Sequence, residues 1–268
     1  MADQTSVFDG SIPATYDRYM VPLVFAPYAR LVAQRAAALG AQAILETAAG
    51  TGVVTEALHN AIPDAVITAT DLNPPMLEQA KRRLPTPRVR FQAADALALP
   101  FADCSFDLVV CQFGAMFFPD KVAGAAEARR VLREGGHYLL AIWDRVERNA
   151  ATAAAGKAVA DLIPGEAGRF YERVPFRYHD RATIEADLRD GGFSKVAIAT
   201  VELRSRAASA RDAAVALVQG TPMRADIEAL APSKLGAATD AAEAALRQFE
   251  GPDGFDAPMS AYLVVAIR

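Results

Sequence analysis

Along residues 41–143 the chain repeats one pattern. A short apolar run is followed by a break of small or polar residues, then by a stretch with apolar positions three and four apart. The runs predict strands at Ala43–Thr47, Ala65–Thr70, Arg88–Gln92, Phe106–Gln112 and His137–Trp143. Helices are expected over Val53–Asn60, from Asn73-Pro74-Pro75 onward, and over Asp120–Arg133, the last closed by Gly135-Gly136. Asn73 is placed to cap its helix and Pro74 to take the first helical position. Phe106–Gln112 is continuously apolar after its acid, as a parallel strand covered on both faces should be. The alternation predicts an α/β fold with a doubly wound, mostly parallel sheet and helices on both faces.

The flanks are less regular. In residues 8–40, rich in aromatic side chains, a helix is expected from about Ala26 to Leu39, with Gly40 as its stop. Residues 144–179 hold no clear strand and read as an insertion. Asp180–Asp190 reads as a helix stopped by Gly191-Gly192, and Lys195–Leu203 as a strand. Two or three helices interrupted by Pro222 and Pro232 fill 208–250, and Ala261–Ile267 is the last of seven strands.

Composition narrows the class. A net charge of −4 over 268 residues leaves no basic stripe of the kind nucleic-acid binders carry, so no nucleic-acid partner is expected. Cys104 and Cys111 make no disulfide framework. No signal-like start and no uncharged apolar run long enough for a membrane span are visible, so a cytoplasmic protein is the expectation.

The chemistry concentrates at Ile44-Leu45-Glu46-Thr47-Ala48-Ala49-Gly50-Thr51-Gly52, with Asp71 about 20 residues further on. Gly50 and Gly52 let backbone approach a ligand closely, and the amides of a helix start favour an anionic group. Taken alone, G-x-G is an ordinary strand-to-helix turn. The dinucleotide pattern also fails, because Thr55 stands at its third glycine position. Asp71, closing the second strand, can accept from two ribose hydroxyls or serve only its own turn. Asp95, just past the third strand, can accept from an exocyclic amine beside Ala94, Ala96 and Leu97, or be a solvated loop acid. In a doubly wound sheet all three features line one crevice.

These segments resemble the class I S-adenosylmethionine-dependent methyltransferases, closest to the small-molecule branch of ubiquinone/menaquinone-biosynthesis type. The resemblance covers residues 15–145 well and the rest loosely, with Ala48 standing where the family often has glycine. Phe106-Asp107-Leu108-Val109-Val110-Cys111-Gln112-Phe113 is similar to its fourth motif, and Arg130–Gly136 to its helix-to-strand turn. The resemblance implies a Rossmann-like, seven-stranded sheet with its last strand antiparallel. It implies an N-terminal helical lid at 1–40, with Ile12–Tyr19 as its mobile part. A cofactor-binding core at 41–144 and a substrate cap at 145–180 follow, then a C-terminal half at 181–268. It assigns S-adenosylmethionine, leaving S-adenosylhomocysteine, to Tyr19, Glu46, Ala48, Gly50, Gly52, Asp71, Leu72, Met76, Asp95, Ala96, Gln112 and Phe113. The expected reaction is in-line methyl transfer to a small, partly apolar acceptor, with no metal and no dedicated nucleophile.

Three aromatic and thioether clusters could face that acceptor or simply be core. They are Phe8, Tyr16, Tyr19 and Met20; Phe113, Met116, Phe117 and Phe118; and Phe170, Tyr171, Phe176 and Tyr178. Of the histidines, His59 reads as a helix-surface residue and His137 as a strand start, leaving His179 as the one candidate base. A homodimer is an open alternative to a monomer. An NAD(P)-dependent reductase on a similar sheet and a non-catalytic S-adenosylmethionine-binding module are the competing functions.

Overall fold

The computed structural model describes residues 12–163, 165 and 169–268. The chain divides into two compact units. Of the described residues, one holds those of 28–143, 178–201 and 261–268; the other holds those of 12–27, 144–177 and 202–260.

The first unit is built on strands β1 (Ala43–Glu46), β2 (Val66–Asp71), β3 (Val89–Ala93), β4 (Phe106–Gln112) and β5 (Leu132–Trp143). It also takes the first half of β6 (Lys195–Ala207) and the second half of β8 (Gly254–Ile267). The strand order is β3-β2-β1-β4-β5-β8-β6, with β1 to β5 parallel and β8 antiparallel to β5. An eighth strand, β7 (Glu250–Gly251), is a two-residue partner of β8 in the second unit, beyond the seven expected. The apolar runs pair because they are buried on both faces: Ile44, Leu45, Ile67, Leu108, Val109 and Val110 are all fully enclosed. Helices α3 (Val53–Ala61) and α4 (Pro74–Arg83) pack on β2, α5 (Lys121–Val131) packs on β5, and α8 (Arg181–Asp190) packs on α5.

Three expectations are corrected. The helix expected over Asp120–Arg133 starts at Lys121, where the Asp120 carboxylate caps by accepting from the Ala123 amide, and it ends at Val131. Gly135-Gly136 is therefore not its stop. The pair lies inside β5, at a register shift where Phe106 pairs Leu132 but Leu108 pairs His137. Asn73 holds the cap position of α4, yet its side chain makes no capping bond; its amide instead donates to Asp71 Oδ1 at 3.2 Å.

The third correction lies in the second unit. Among the described residues the chain is already helical at Ile12, well before Ala26. After α1 (Ile12–Thr15) the chain runs as a wide π-helical segment, Tyr16–Phe25, into α2 (Ala26–Ala38). Pro22 lies inside this segment and lacks the amide hydrogen an α-helical ladder needs there; the Ala26 N–H reaches back to the Val21 carbonyl. The segment packs on α9 (Ala210–Gln219), which packs on α6 (Ala150–Leu162) and α11 (Leu235–Leu246). Small residues line these contacts, with Ala155, Ala213, Ala214, Ala238 and Ala242 all buried. The short helices α7 (Phe170–Arg173) and α10 (Met223–Leu230) complete the unit. Three stretches remote in sequence thus form one body.

Candidate functional site

The site is assembled at the carboxyl ends of β1 and β2, wholly within the first unit. Beyond Glu46 the chain stays tied to its neighbours: the Thr47 amide donates to Val110 O at 2.9 Å and the Ala49 amide to Thr70 O at 2.9 Å. From Ala48 onward the backbone alternates into the left-handed region, at Ala48 (φ +53°), Gly50 (φ +57°) and Gly52 (φ +83°). Gly52 has a second constraint, since a Cβ there would lie 2.8 Å from the Ala80 Cβ of α4. This close approach seats the start of α3 against α4. Arg83 reinforces it, donating through Nε to Thr51 O at 3.0 Å and through Nη1 to Glu56 Oε2 at 3.1 Å.

Asp71 is 7% exposed and clamps the loop. Its Oδ2 accepts from the Gly50 amide at 2.8 Å and its Oδ1 from the Asn73 amide at 2.8 Å. Burial raises its pKa above the ordinary carboxylate value, against the pull of the Asn73 and Gly50 donors. Asp71 therefore serves its own turn and, beyond that, reaches back to the glycine loop. Glu46 is more enclosed. Burial, with help from the Asp71 charge, pushes its carboxyl up to about 8, while a 2.6 Å hydrogen bond from Thr55 Oγ1 to Glu46 Oε2 works the other way. Thr55 carries no role in the sequence reading beyond its failure to be glycine.

Beside the loop, Thr51 Oγ1 and Asn73 Oδ1 are buried without a hydrogen-bond partner among the described residues. Buried polar atoms are nearly always paired in folded proteins. Two of them around a glycine loop and an acid fit a polar ligand at this place. Leu72 is exposed and Met76, on the first turn of α4, is buried.

The remaining expected residues divide. The Ala94 amide donates to Asp71 O at 3.1 Å, which joins the end of β3 to that of β2. Asp95 itself is exposed and turned to its own loop, its Oδ1 accepting from the Leu97 amide at 2.9 Å, with Ala96 between them. Gln112 is buried at the end of β4. Phe113 has φ +54° and lies face to face with Trp143, ring centroids 3.7 Å apart, with Tyr28 edge-on at 5.3 Å. Gly114 then passes so close to the loop that a Cβ on it would meet the Ala48 Cβ at 2.4 Å.

Tyr19 belongs to the second unit, where the Arg18 guanidinium lies 5.0 Å from its ring centroid. Phe170, Tyr171 and Phe176 are core of that unit, and the Tyr171 hydroxyl donates to Leu217 O at 2.6 Å. Of the central aromatic group, Phe113 and Met116 are buried and Phe117 is half-exposed. Phe8 lies outside the described residues. His179 is exposed beside Asp180, the cap of α8. Among the described residues no cluster of three or more potential metal ligands occurs, and no helix is long and apolar enough to cross a membrane.

The sheet order, the glycine loop and the buried acids at adjoining strand ends define a Rossmann-like domain suited to a nucleoside. Comparison with known proteins agrees. Residues 44–136 match the family described as "Methyltransferase domain". A demethylmenaquinone methyltransferase of Deinococcus radiodurans is 38% identical over 113 residues, covering 41% of this chain and 47% of that protein. The crystal structure of YcgJ from Bacillus subtilis superposes with a TM-score of 0.60 at 18% identity, over 90% of this chain and 98% of the other. A phosphoethanolamine N-methyltransferase from Haemonchus contortus, solved in complex with S-adenosyl-L-methionine, reaches a TM-score of 0.63 at 15% identity, over 100% of this chain and 60% of the other. At such identities these two structures show the fold alone. The chain spans about half the length of the curated relatives it matches. Residues 44–136 are thus similar to a methyltransferase domain, and about the same stretch is similar to demethylmenaquinone and ubiquinone/menaquinone-biosynthesis methyltransferases.

Proposed function

We propose that this chain transfers a methyl group from S-adenosylmethionine to a small, partly apolar, quinone-like acceptor. The observation that carries the reading is the clamp of Asp71 on the Gly50 amide beside two unpartnered buried polar atoms. The demethylmenaquinone methyltransferase relatives support the acceptor class.

In this reading Glu46, Ala48, Gly50 and Gly52 hold the methionine end of the cofactor. Asp71 receives the ribose hydroxyls, with Leu72 and Met76 beside the adenosine. Asp95 and Ala96 flank the adenine, and Gln112, Phe113 and Tyr19 complete the set. When bound, S-adenosylmethionine supplies an electrophilic methyl group on a sulfonium. In-line displacement asks the chain mainly for alignment and exclusion of water, worth roughly 7–11 kcal/mol in favourable cases. The stiff loop, pinned by Thr70, Val110, Asp71 and Arg83, suits that demand. The segments read as lid and cap, 1–40 and 145–180, are proposed to select the acceptor.

Calorimetric titration with S-adenosylhomocysteine is expected to show saturable binding; its absence at millimolar ligand would overturn the proposal. Isotope-labelled S-adenosylmethionine incubated with a panel of quinones, phenols and amines, followed by mass spectrometry, is expected to label quinone-type products first.

A further inference from the structure

Thr55 breaks a dinucleotide pattern, yet it is fully enclosed, and its hydroxyl makes the shortest of the hydrogen bonds around the loop. A threonine on a helix usually turns its hydroxyl back to the carbonyl one turn earlier. Here that carbonyl, Thr51 O, accepts from Arg83 Nε. The Thr55 hydroxyl points across the loop instead, to Glu46 Oε2 at 2.6 Å. A second threonine, Thr70, donates its hydroxyl to the Glu46 backbone carbonyl at 2.9 Å. Side chain and main chain of Glu46 are thus held from α3 and from β2. The bond joins the residue before the loop to the helix after it, so it straps residues 47–52 at both ends.

We infer that Thr55 is a positioning residue for the ligand of this loop, acting through the Glu46 carboxyl without touching the ligand itself. The inference rests on the reading that the loop holds the methionine end of S-adenosylmethionine. The ionisable groups around Glu46 are Asp71 on β2 and Cys111 on β4, both buried. Neither donates a compensating hydrogen bond to the Glu46 side chain among the bonds described, so the Thr55 hydroxyl is what steadies the charged form.

The test uses the full chain with Thr55→Ser, Thr55→Val and Thr55→Ala. Carbon-detected NMR of glutamate-labelled protein follows the Glu46 carboxyl, assigned by its disappearance in Glu46→Gln. A hydrogen bond to the charged form lowers a carboxyl pKa, so the Glu46 midpoint should move to higher pH in Thr55→Val and stay in Thr55→Ser. S-adenosylhomocysteine affinity should fall about tenfold in Thr55→Val and remain within about twofold in Thr55→Ser, the scale of a hydrogen bond to a charged group. Thr55→Ala also lacks the hydroxyl, should lose about as much affinity as Thr55→Val, and serves where the valine protein does not melt cooperatively. Two results overturn the inference: unchanged affinity once the hydroxyl is gone, or equal losses in the serine and valine proteins. If the unaltered chain binds no S-adenosylhomocysteine at all, the cofactor reading itself is what fails, and the inference falls with it.

Discussion

Asp71 and Asp95 make an instructive pair. Asp71 closes one parallel strand and Asp95 lies just past the next, at neighbouring carboxyl ends of the same sheet. Asp71 is buried and bonded to an amide 21 residues away. Asp95 is exposed and bonded to an amide two residues away. The first is built into the tertiary structure and cannot be removed without orphaning the Gly50 and Asn73 amides. The second closes a local turn that water could satisfy. Position along a sheet edge therefore says where a ligand could lie. Burial and the span of the hydrogen bonds say which acid the site is organised around.

The largest effect should come from Asp71→Ala. Two orphaned donors are expected to cost about 1–3 kcal/mol in denaturant titrations. S-adenosylhomocysteine affinity should fall by at least about tenfold, since one unit of that factor corresponds to 1.4 kcal/mol. An Asp71→Ala protein with native affinity would remove the distinction between the two acids. Next is Gly114→Ala, which drives a Cβ to 2.4 Å from that of Ala48. Overpacking at such a place should cost about 1–3 kcal/mol, read as a lowered melting temperature.

A third test concerns pH. The Glu46 carboxyl titrates at about 8 in the folded chain against 4.5 as the ordinary value. A raised carboxyl stabilises the fold below its unfolded pKa, and that contribution is lost as pH rises through the folded value. The melting temperature should therefore fall between about pH 4.5 and pH 8 through this group. Glu46→Gln should flatten that slope; an unchanged slope would show that Glu46 is not the group responsible. The smallest effect belongs to Asp95→Ala, with stability moving by under about 0.5 kcal/mol. A large loss of ligand affinity there would promote Asp95 to the rank of Asp71.

Much of the first unit was legible in advance. Strand β4 begins and ends where its apolar run does, and β1 to β3 shift by a residue or so, because strands buried on both faces must be apolar throughout. The Gly52 turn is a local feature with local chemistry, whereas Asp120 and Asp180, expected as the first residues of their helices, cap them from one position earlier. Asn73 is the instructive failure: the cap position is right, but Asp71 captures its side chain, and that competition is invisible to a reading of α4 alone. Gly135-Gly136 failed similarly, since glycines that would stop a helix also suit a strand bulge. The aromatic residues of 170–176, candidate pocket walls from their chemistry, are core of their unit.

By itself the amino-acid order determined the alternation of strands and helices, the glycine loop, and the acids at the strand ends. These depend on periodicity and on residues a few positions apart. Only the tertiary structure decided that the described residues of 12–27, 144–177 and 202–260 form one body and that Phe113 stacks on Trp143. It also decided that Asp71 is buried and bonded to the glycine loop while Asp95 closes an exposed local turn, and that Thr55 answers Glu46. Each of these rests on burial and on contacts between segments remote in the chain. No local pattern records such contacts, because the energy of a buried hydrogen bond depends on everything that excludes water from it.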